Sequence, residues 1–572
     1  MSRMTIVDVL RVRAQAGTEP AIWFEGATGP YDEVSCAELE SRARTFARGL
    51  AARGVGPGDR VAIVLPTSPE FVYSFYGTLM CGATAVPLYP PAGAHQLAAF
   101  SENLARVGEE AHARTVISLP ALDEYMAAGL ELVPPHELAQ ATEDDASLPA
   151  VAPDDLALIQ FSSGSTGAPR GVALTHHNVV ANIRGYQSAI AIHPPDVCVS
   201  WLPLYHDMGL IGVLIGTVVT QIPLALASPL DFLARPRLWL ELLSKYRASI
   251  AVSPQFAFNV CLAKIAEDDL EGLDLSAVRV MLNGAEPTDL DVIRRFEQRF
   301  ARAGLRSGVV TPCYGLAEHA LAVSMGEPGR DVVHRYVSRE SNEVLPALPG
   351  REEPGALEVA SDGRPIPGTE VAILDATGEP LPGETIGEIA VRSECVCKGY
   401  VTRDGLAAAV DDSGWLRTGD LGFVADGELF AVDRLKDTIV VAGRNVYSHD
   451  IERAVTGVRG IRPGRAVVFG VRDPELGTES LVVAAESLPD QREELLRRAA
   501  AVRAVVVQSF GLTPRDVVLL PKGRVPLTSS GKVRRHRVRQ DYEAGALVND
   551  ALVSFREAAL AGAARARDEA VA

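Results

Sequence analysis

VAIVLPTSPEFVYSFYGTLMCGATAVPLYP, residues 61–90, sets the fold class. It reads as a short apolar strand, then a helix, then a second apolar strand closed by proline. The unit returns in SIAVSPQFAFNVCLAKI (249–265), VRVMLNGAEP (278–287) and GVVTPCYG (308–315). Short buried strands alternating with helices predict a layered α/β architecture with largely parallel sheets. No fixed-period repeat is visible.

Between residues 350 and 435 the character changes. Gly-Pro punctuation becomes dense, as in GRPIPGTEVAILD and GEPLPGETIGEIAVRS, with short β-like runs between turns. A β-rich subdomain is expected there. After Asp433-Arg434-Leu435-Lys436 the mixed α/β pattern resumes. The expected division is a large unit over 1–435, with the β-rich part at 350–435, and a small α+β unit over 436–572. At about 150 residues per domain, a chain of 572 residues accommodates three or four domain-sized units or two unequal lobes. The Ala-rich end, ALVSFREAALAGAARARDEAVA, reads as helix.

With 47% hydrophobic and 22% charged residues, the chain is globular rather than disordered. Its net charge of −18, from 73 acids and 55 bases, disfavours nucleic acid and anionic membranes as partners. A small polyanion held by a local site remains compatible. The seven cysteines are odd in number and form no C-x-x-C, so reduced thiols and a cytoplasmic location are expected. No signal peptide is indicated at the N-terminus. Met208–Leu230 is uncharged and contains Gly212-x-x-x-Gly216, a spacing used by membrane helices. Gln221 and Pro223 interrupt it and neither flank is basic. A buried helix from Met208 followed by a buried strand IPLALA is expected, with no transmembrane segment.

FSSGSTGAPRG, 161–171, follows the apolar run LALIQF. It is not a Walker loop, which would need Gly at the position of Pro169. Its Gly, Ser and Thr residues suit tight turns whose amides converge on an anion, and a helix expected after it would add its dipole. Taken alone, such a loop is more often an ordinary connector. WLPLYHDMG (201–209) groups Trp201 and His206 beside an apolar helix. CYGLAEH (313–319) places Tyr314 and Glu318 after a strand. GWLRTGDLG (414–422) sets Asp420 in a Gly-flanked turn, and LTSSGKVRRHRVR (527–539) carries Lys532 before a basic run. Each has a purely structural reading as well: a core histidine, a strand-end aromatic, a turn aspartate, a solvated face.

Their order and types together carry more. The chain resembles the adenylate-forming superfamily of acyl-CoA synthetases, nonribosomal-peptide adenylation domains and luciferases, from about residue 20 to 540. FSSGSTGAPRG resembles its phosphate loop, YGLAE its tyrosine-and-glutamate motif and GWLRTGD its ribose aspartate motif. DRLKD resembles its hinge, GRNVYSHDIE the loop after the hinge and SSGKVRR its lysine loop. WLPLYHDMGL, NGAEP, YGLAEH and the long segment from Glu318 to Gly363 (363 − 318 = 45 positions) resemble the fatty-acyl-AMP ligase branch. In that branch an insertion in this region hinders the swing toward the CoA-binding pose.

The resemblance implies that a hydrophobic carboxylic acid attacks the α-phosphate of ATP, forming an acyl-adenylate and pyrophosphate. It implies phosphate contacts from Ser162, Ser163, Gly164, Ser165, Thr166, Gly167 and Arg170. It places the adenine on Gly284, Ala285, Glu286, Pro287 and Tyr314-Gly315-Leu316-Ala317. Asp420 would hold the ribose, helped by Arg434, and Glu318 with Thr166 would hold Mg²⁺. Lys532 would bridge the carboxylate and the α-phosphate. His206 would stand at the mouth of an acyl pocket walled by Trp201, Gly209, Gly212, Phe256 and Phe258. Lys436 would be the hinge, and Gly443 with Arg444 would shape a pantetheine channel. The acceptor would be the phosphopantetheine of an acyl carrier protein. The alternative is CoA, with a cyclic or terpenoid acid as a further substrate option. Three departures stand out: Arg170 replaces a lysine common in the superfamily, Ala317 replaces a common threonine, and the Ala-rich tail is long.

Overall fold

The structure, a computed structural model, describes residues 4–15, 17, 20–26, 28–91, 93, 97–142, 147–162, 170–346, 356–441, 444–473, 478–528 and 532–556. Two large sheets carry the first four hundred residues. In the nine-stranded sheet, Val310–Gly315, Val280–Gly284, Ile250–Pro254, Cys198–Ser200, Leu224–Ala227 and Pro20–Gly26 run parallel in that order. Antiparallel strands close both edges. In the eight-stranded sheet the parallel strands are Leu156–Ser162, Thr84–Pro87, Arg60–Val64, Thr115–Ser118 and Glu131–Val133. The opening stretch therefore resolves as read: strand Arg60–Val64, helix Pro69–Met80, strand Thr84–Pro87. Ser68 accepts a hydrogen bond from the Phe71 amide and Pro69 supplies the first helical residue, which starts the helix cleanly. The helix is buried all round, as an apolar helix between layers must be.

The helix expected around HHNVVANIRGY is present as His176–Ala189, but it does not follow the 161–171 loop directly. The segment after it is a strand, Arg170–Thr175, paired antiparallel with Leu156–Ser162. The helix begins only beyond that strand. The cause lies in GVALT, an apolar run with β-branched residues that completes the sheet before Thr175 caps the helix.

The β-rich region is present but is not one unit. Thr369–Leu374, Gly387–Ser393, Leu416–Ala425 and Glu428–Arg434 form a four-stranded antiparallel sheet. The hairpin Gly399–Thr402 and Gly405–Ala407 leaves it and pairs with Arg170–Thr175 instead.

Beyond residue 439 a separate hydrophobic core forms. Ile451, Val483, Val502 and Val517 pack between the helices Ser448–Thr456 and Arg492–Phe510 and one face of a four-stranded sheet. The Ala-rich end opens with a strand, Val553–Ser554, paired with Asp516–Leu520, rather than with helix. Residues 557–572 lie outside the described residues.

Met208–Leu230 resolves as a helix of wide π-type turns, Met208–Ile215, then Gly216–Thr220 and the strand Leu224–Ala227. Among the described residues no helix is long and apolar enough to cross a membrane. All seven cysteines are free. Burial pushes the Cys198 and Cys261 thiols up to about 12, which leaves them unreactive.

Candidate active site

Parallel strands of the nine-stranded sheet end together at Pro254, Gly284 and Gly315, and a cavity of about 460 Å³ opens beyond those ends. Carboxyl ends of parallel strands are where α/β sheets bind ligands. Gly284, Ala285, Tyr314, Gly315, Leu316 and Ala317 line it. Ala285 has φ +69, a left-handed conformation unusual for a residue with a Cβ and common at sites held by their surroundings. Gly315 is required sterically, since a Cβ there would fall 2.0 Å from the carbonyl oxygen of Leu321.

Strand pairing sets one polar corner. Asp420 lies opposite Arg434 across adjacent strands. The Tyr314 hydroxyl donates to Asp420 Oδ2 at 2.7 Å, and Arg434 Nε approaches Oδ1 at 3.2 Å. Burial and the neighbouring carboxylate push the phenol of Tyr314 far above its ordinary range, so it remains a donor. A bulge between Leu421 and Gly422 follows, and Asp362 accepts the Ala431 amide there at 3.0 Å. Burial holds the Asp362 carboxyl up at about 7.

A second corner is cationic. Lys532 reaches the cavity on a tight loop, in which the Thr528 amide donates to the Lys532 carbonyl at 2.7 Å and the Lys532 amide donates to Thr528 Oγ1 at 3.0 Å. Burial, then the Arg434 charge, lowers the ammonium's pKa, while Asp207, Glu286 and Asp420 oppose the shift. His206 and Asp207 pair at 2.6 Å. Burial disfavours the Asp207 carboxylate, but His206 and Lys532 hold it below its usual range. Lys436 also lines the cavity, and burial draws its ammonium down to about 8.

The third corner is acidic. Glu318 is pushed up by burial and accepts the Tyr400 hydroxyl at 3.3 Å. The Arg170 guanidinium stands over the Tyr400 ring, 5.5 Å from its centroid. Tyr400 was not legible from its sequence surroundings, because it arrives on the hairpin that crosses between sheets. Among the described residues no group of three or more His, Cys, Asp and Glu could hold a metal. A single carboxylate such as Glu318 nonetheless suits Mg²⁺, which keeps several waters and takes its other ligands from phosphates.

Several expected residues lie elsewhere. Phe258 is fully buried, edge-on to Trp239 and Phe296. Trp201 is stacked on Phe232 with ring centroids 3.9 Å apart. Both belong to an aromatic core behind the site, a role their apolar surroundings equally allowed. Phe256 lies edge-on to Trp201, and its amide donates to Glu286 Oε2 at 2.8 Å. The Glu286 carboxylate is thus turned to that backbone, and neither Glu286 nor Pro287 lines the cavity. Gly209 packs against backbone, since a Cβ there would fall 2.2 Å from the Pro203 carbonyl oxygen. Arg444 sits on the strand Arg444–Val446, outside the cavity lining. Of the phosphate loop, Ser162 is described only as a strand residue, and Ser163 to Gly167 lie outside the described residues, as does Gly443. Gln160 and Tyr186 join the cavity wall without having been singled out, whereas Asp207 and Met208 come from the WLPLYHDMG cluster and the apolar helix expected to wall a pocket.

The comparisons with known proteins agree with this geometry. The AMP-binding enzyme family matches residues 11–401. A long-chain-fatty-acid–AMP ligase of Mycobacterium marinum is 34% identical over 550 residues, covering 89% of this chain and 91% of that protein. A putative fatty-acid–CoA ligase of Mycobacterium tuberculosis is 33% identical over 580 residues, covering 95% and 98%. A solved structure from studies of fatty acyl-adenylate ligases of E. coli and L. pneumophila superposes with a TM-score of 0.87 at 32% identity, covering 95% of this chain and 98% of that one. The chain belongs to the AMP-binding enzyme family. It is an ATP-dependent, adenylate-forming enzyme of the acyl-AMP and acyl-CoA ligase group.

Two outcomes follow from the corners. Tyr314→Phe removes a hydrogen bond to a charged group, worth about 1.5–3 kcal/mol. It is expected to raise the KM for ATP roughly tenfold or more, and an unchanged KM in an adenylation assay contradicts the geometry. Because burial disfavours the Lys436 ammonium, its charge is lost as pH rises through about 8. Adenylation should fall over that range, and Lys436→Arg, which stays charged, should move the alkaline limb upward. A pH profile that is identical in the two proteins refutes this.

Proposed function

We propose that the protein activates a hydrophobic carboxylic acid as its acyl-adenylate and passes the acyl group to the phosphopantetheine thiol of an acyl carrier protein. The observation carrying this reading is the meeting of Lys532 with Asp420, Tyr314 and the His206–Asp207 pair in one cavity.

In the first step a carboxylate oxygen bonds to the α-phosphorus and the bond to pyrophosphate breaks. Positioning and charge neutralisation account for most of the catalysis. Lys532 holds the attacking carboxylate against the α-phosphate. Asp420 accepts the two ribose hydroxyls, oriented by Tyr314 and Arg434. Gly284, Ala285 and Tyr314 flank the adenine. The 162–167 loop and Arg170 take the pyrophosphate end. Glu318, with Thr166, would hold Mg²⁺, which when bound neutralises phosphate charge. His206 stands at the entrance to the acyl pocket, with Gly212 in its wall. These roles belong to a large unit ending at residue 435 and a small one from Lys436, the pivot. A cytoplasmic setting accords with the free thiols.

The second step requires the small unit to turn about Lys436. That would withdraw Lys532 and bring Gly443 and Arg444 toward the cavity. The relatives' names divide between AMP and CoA ligases. A contact within the Glu318–Gly363 segment favours the carrier protein. Arg339 holds Asp450 through both carboxylate oxygens, at 2.6 and 3.0 Å, and stands over the Phe510 ring. Tyr447 is buried with Val337 and Phe430 in the same seam. Both acceptors need the turn that these contacts restrain; a carrier protein, with a whole protein surface to bind, can offset them where CoA alone cannot.

Lys532→Ala should lower adenylation by roughly 10²–10³-fold, as loss of one oxyanion donor does, while ATP still binds. Normal pyrophosphate release from that variant rejects the assignment. Offered CoA and a loaded carrier protein side by side, the wild type should acylate the carrier. Arg339→Ala should raise acyl-CoA formation measurably, and efficient CoA acylation by the wild type reverses the choice of acceptor.

A further inference from the structure

The segment from Leu316 to Leu321 joins the strand Val310–Gly315 to its antiparallel neighbour Ala322–Met325. Glu318 stands in the middle of it, on the short 3₁₀ turn Ala317–His319. The segment reverses at Ala320, a buried residue with φ +60 and ψ −53. There the Leu321 amide donates to the His319 carbonyl oxygen, two residues back, at 2.7 Å. This is a γ-turn of the rare, strained hand. Strain of that kind persists only where the surroundings hold it.

Two buried polar side chains supply the hold. Asn182, on the helix His176–Ala189, donates through its amide nitrogen to the His319 carbonyl oxygen at 2.9 Å and to the Ala322 carbonyl oxygen at 2.8 Å. Its Oδ1 accepts the Ala322 amide at 3.1 Å. Both N–H groups of Asn182 are thereby used. His319 Nδ1 lies 2.8 Å from the same Ala322 carbonyl oxygen, so the proton is assigned to Nδ1, which donates. Nε2 then accepts the Thr369 hydroxyl at 3.2 Å. The ring and the amide fasten the γ-turn on both sides of Ala320. A buried network satisfied in this way is rigid.

Neither Asn182 nor His319 lines the cavity, whereas Leu316, Ala317, Glu318 and Leu321 do. The clamp therefore acts from behind the cavity wall. On the other side the Cys397 amide donates to the Glu318 carbonyl oxygen at 2.7 Å, so the glutamate's backbone is held from two directions.

We infer that Asn182 and His319 are positioning residues: by holding the strained turn at Ala320, they aim the Glu318 carboxylate for the Mg²⁺ it would carry in adenylation. The inference rests on the role proposed for Glu318 above. Removing a partner that orients a metal-bearing group typically costs about 10–100-fold in metal affinity or activity.

The test uses the full-length protein and two readouts. One is pyrophosphate release as Mg²⁺ is titrated at saturating ATP and acid. The other is ATP binding by calorimetry, with and without Mg²⁺. His319→Leu fills the site without the donor. It should raise the half-saturating Mg²⁺ concentration about tenfold or more, and weaken ATP binding only when Mg²⁺ is present. His319→Asn, whose amide nitrogen can stand where Nδ1 stood, should restore most of the response. Adding Ala320→Gly to His319→Leu should restore part of it, because glycine takes a positive φ without strain and the turn then needs less holding. If His319→Leu does not fold, Thr369→Val frees only Nε2 and is read in the same direction. An unchanged Mg²⁺ response in the folded variant, or equal losses in His319→Leu and His319→Asn, overturns the inference, while pyrophosphate release by the wild type keeps the adenylation reading standing. A wild type that releases none with any acid refutes that reading and the inference with it.

Discussion

Burying the Lys532 ammonium costs free energy that only nearby carboxylates offset, and those carboxylates come from three separate parts of the chain. Asp207 follows a strand of the nine-stranded sheet, Glu286 follows another, and Asp420 lies in the antiparallel sheet. The lysine itself belongs to the segment beyond the separate C-terminal core. Its seat therefore exists only when two sheets and the small unit are docked together. Arg434 works against it, lowering its pKa, so the seat is stable through a balance of charges rather than through any one pair. Such a balance suits the proposed departure of this group between the two half-reactions.

The docking has its own supports. Arg535 ties the helix after Lys532 to Asp437 at 2.8 Å and to Glu452 at 2.7 Å, which joins that helix and the segment after Lys436 into one body. Arg339 and Tyr447 then fasten that body to the β-rich region. These contacts are local and partly exposed at their rims, so the proposed turn would leave both cores intact. The same economy appears inside the large unit. Gly216 leaves room for the Tyr186 phenol, whose hydroxyl donates to the Gly212 carbonyl oxygen at 3.2 Å.

How much of this could be read beforehand depends on the range of the cause. The strand–helix–strand units were legible at residues 61–90 and 249–315, because apolar periodicity is a property of adjacent residues. Asp420, Tyr314, Glu318 and Lys532 could be picked out as candidates because residue type and motif order are local too, and all four line the cavity. The loop at 161–171 marks the limit. Its composition and the helix around HHNVVANIRGY were clear, but the strand between them depended on the open edge of the sheet, which the apolar run GVALT fills. Phe258 and Trp201 mark another. An aromatic in a buried stretch has two faces to choose between, and both turn to the core behind the site.

By itself, then, the sequence determined the alternation of elements and the inventory of reactive groups, since both follow from residue identity and near spacing. Only the tertiary structure decided which groups share the cavity. Tyr400 reaches Glu318, Tyr186 reaches Gly212 and Arg339 reaches Asp450 across separations of 82, 26 and 111 residues. Pairings of that kind are set by how sheets and helices pack, and packing depends on the whole chain at once.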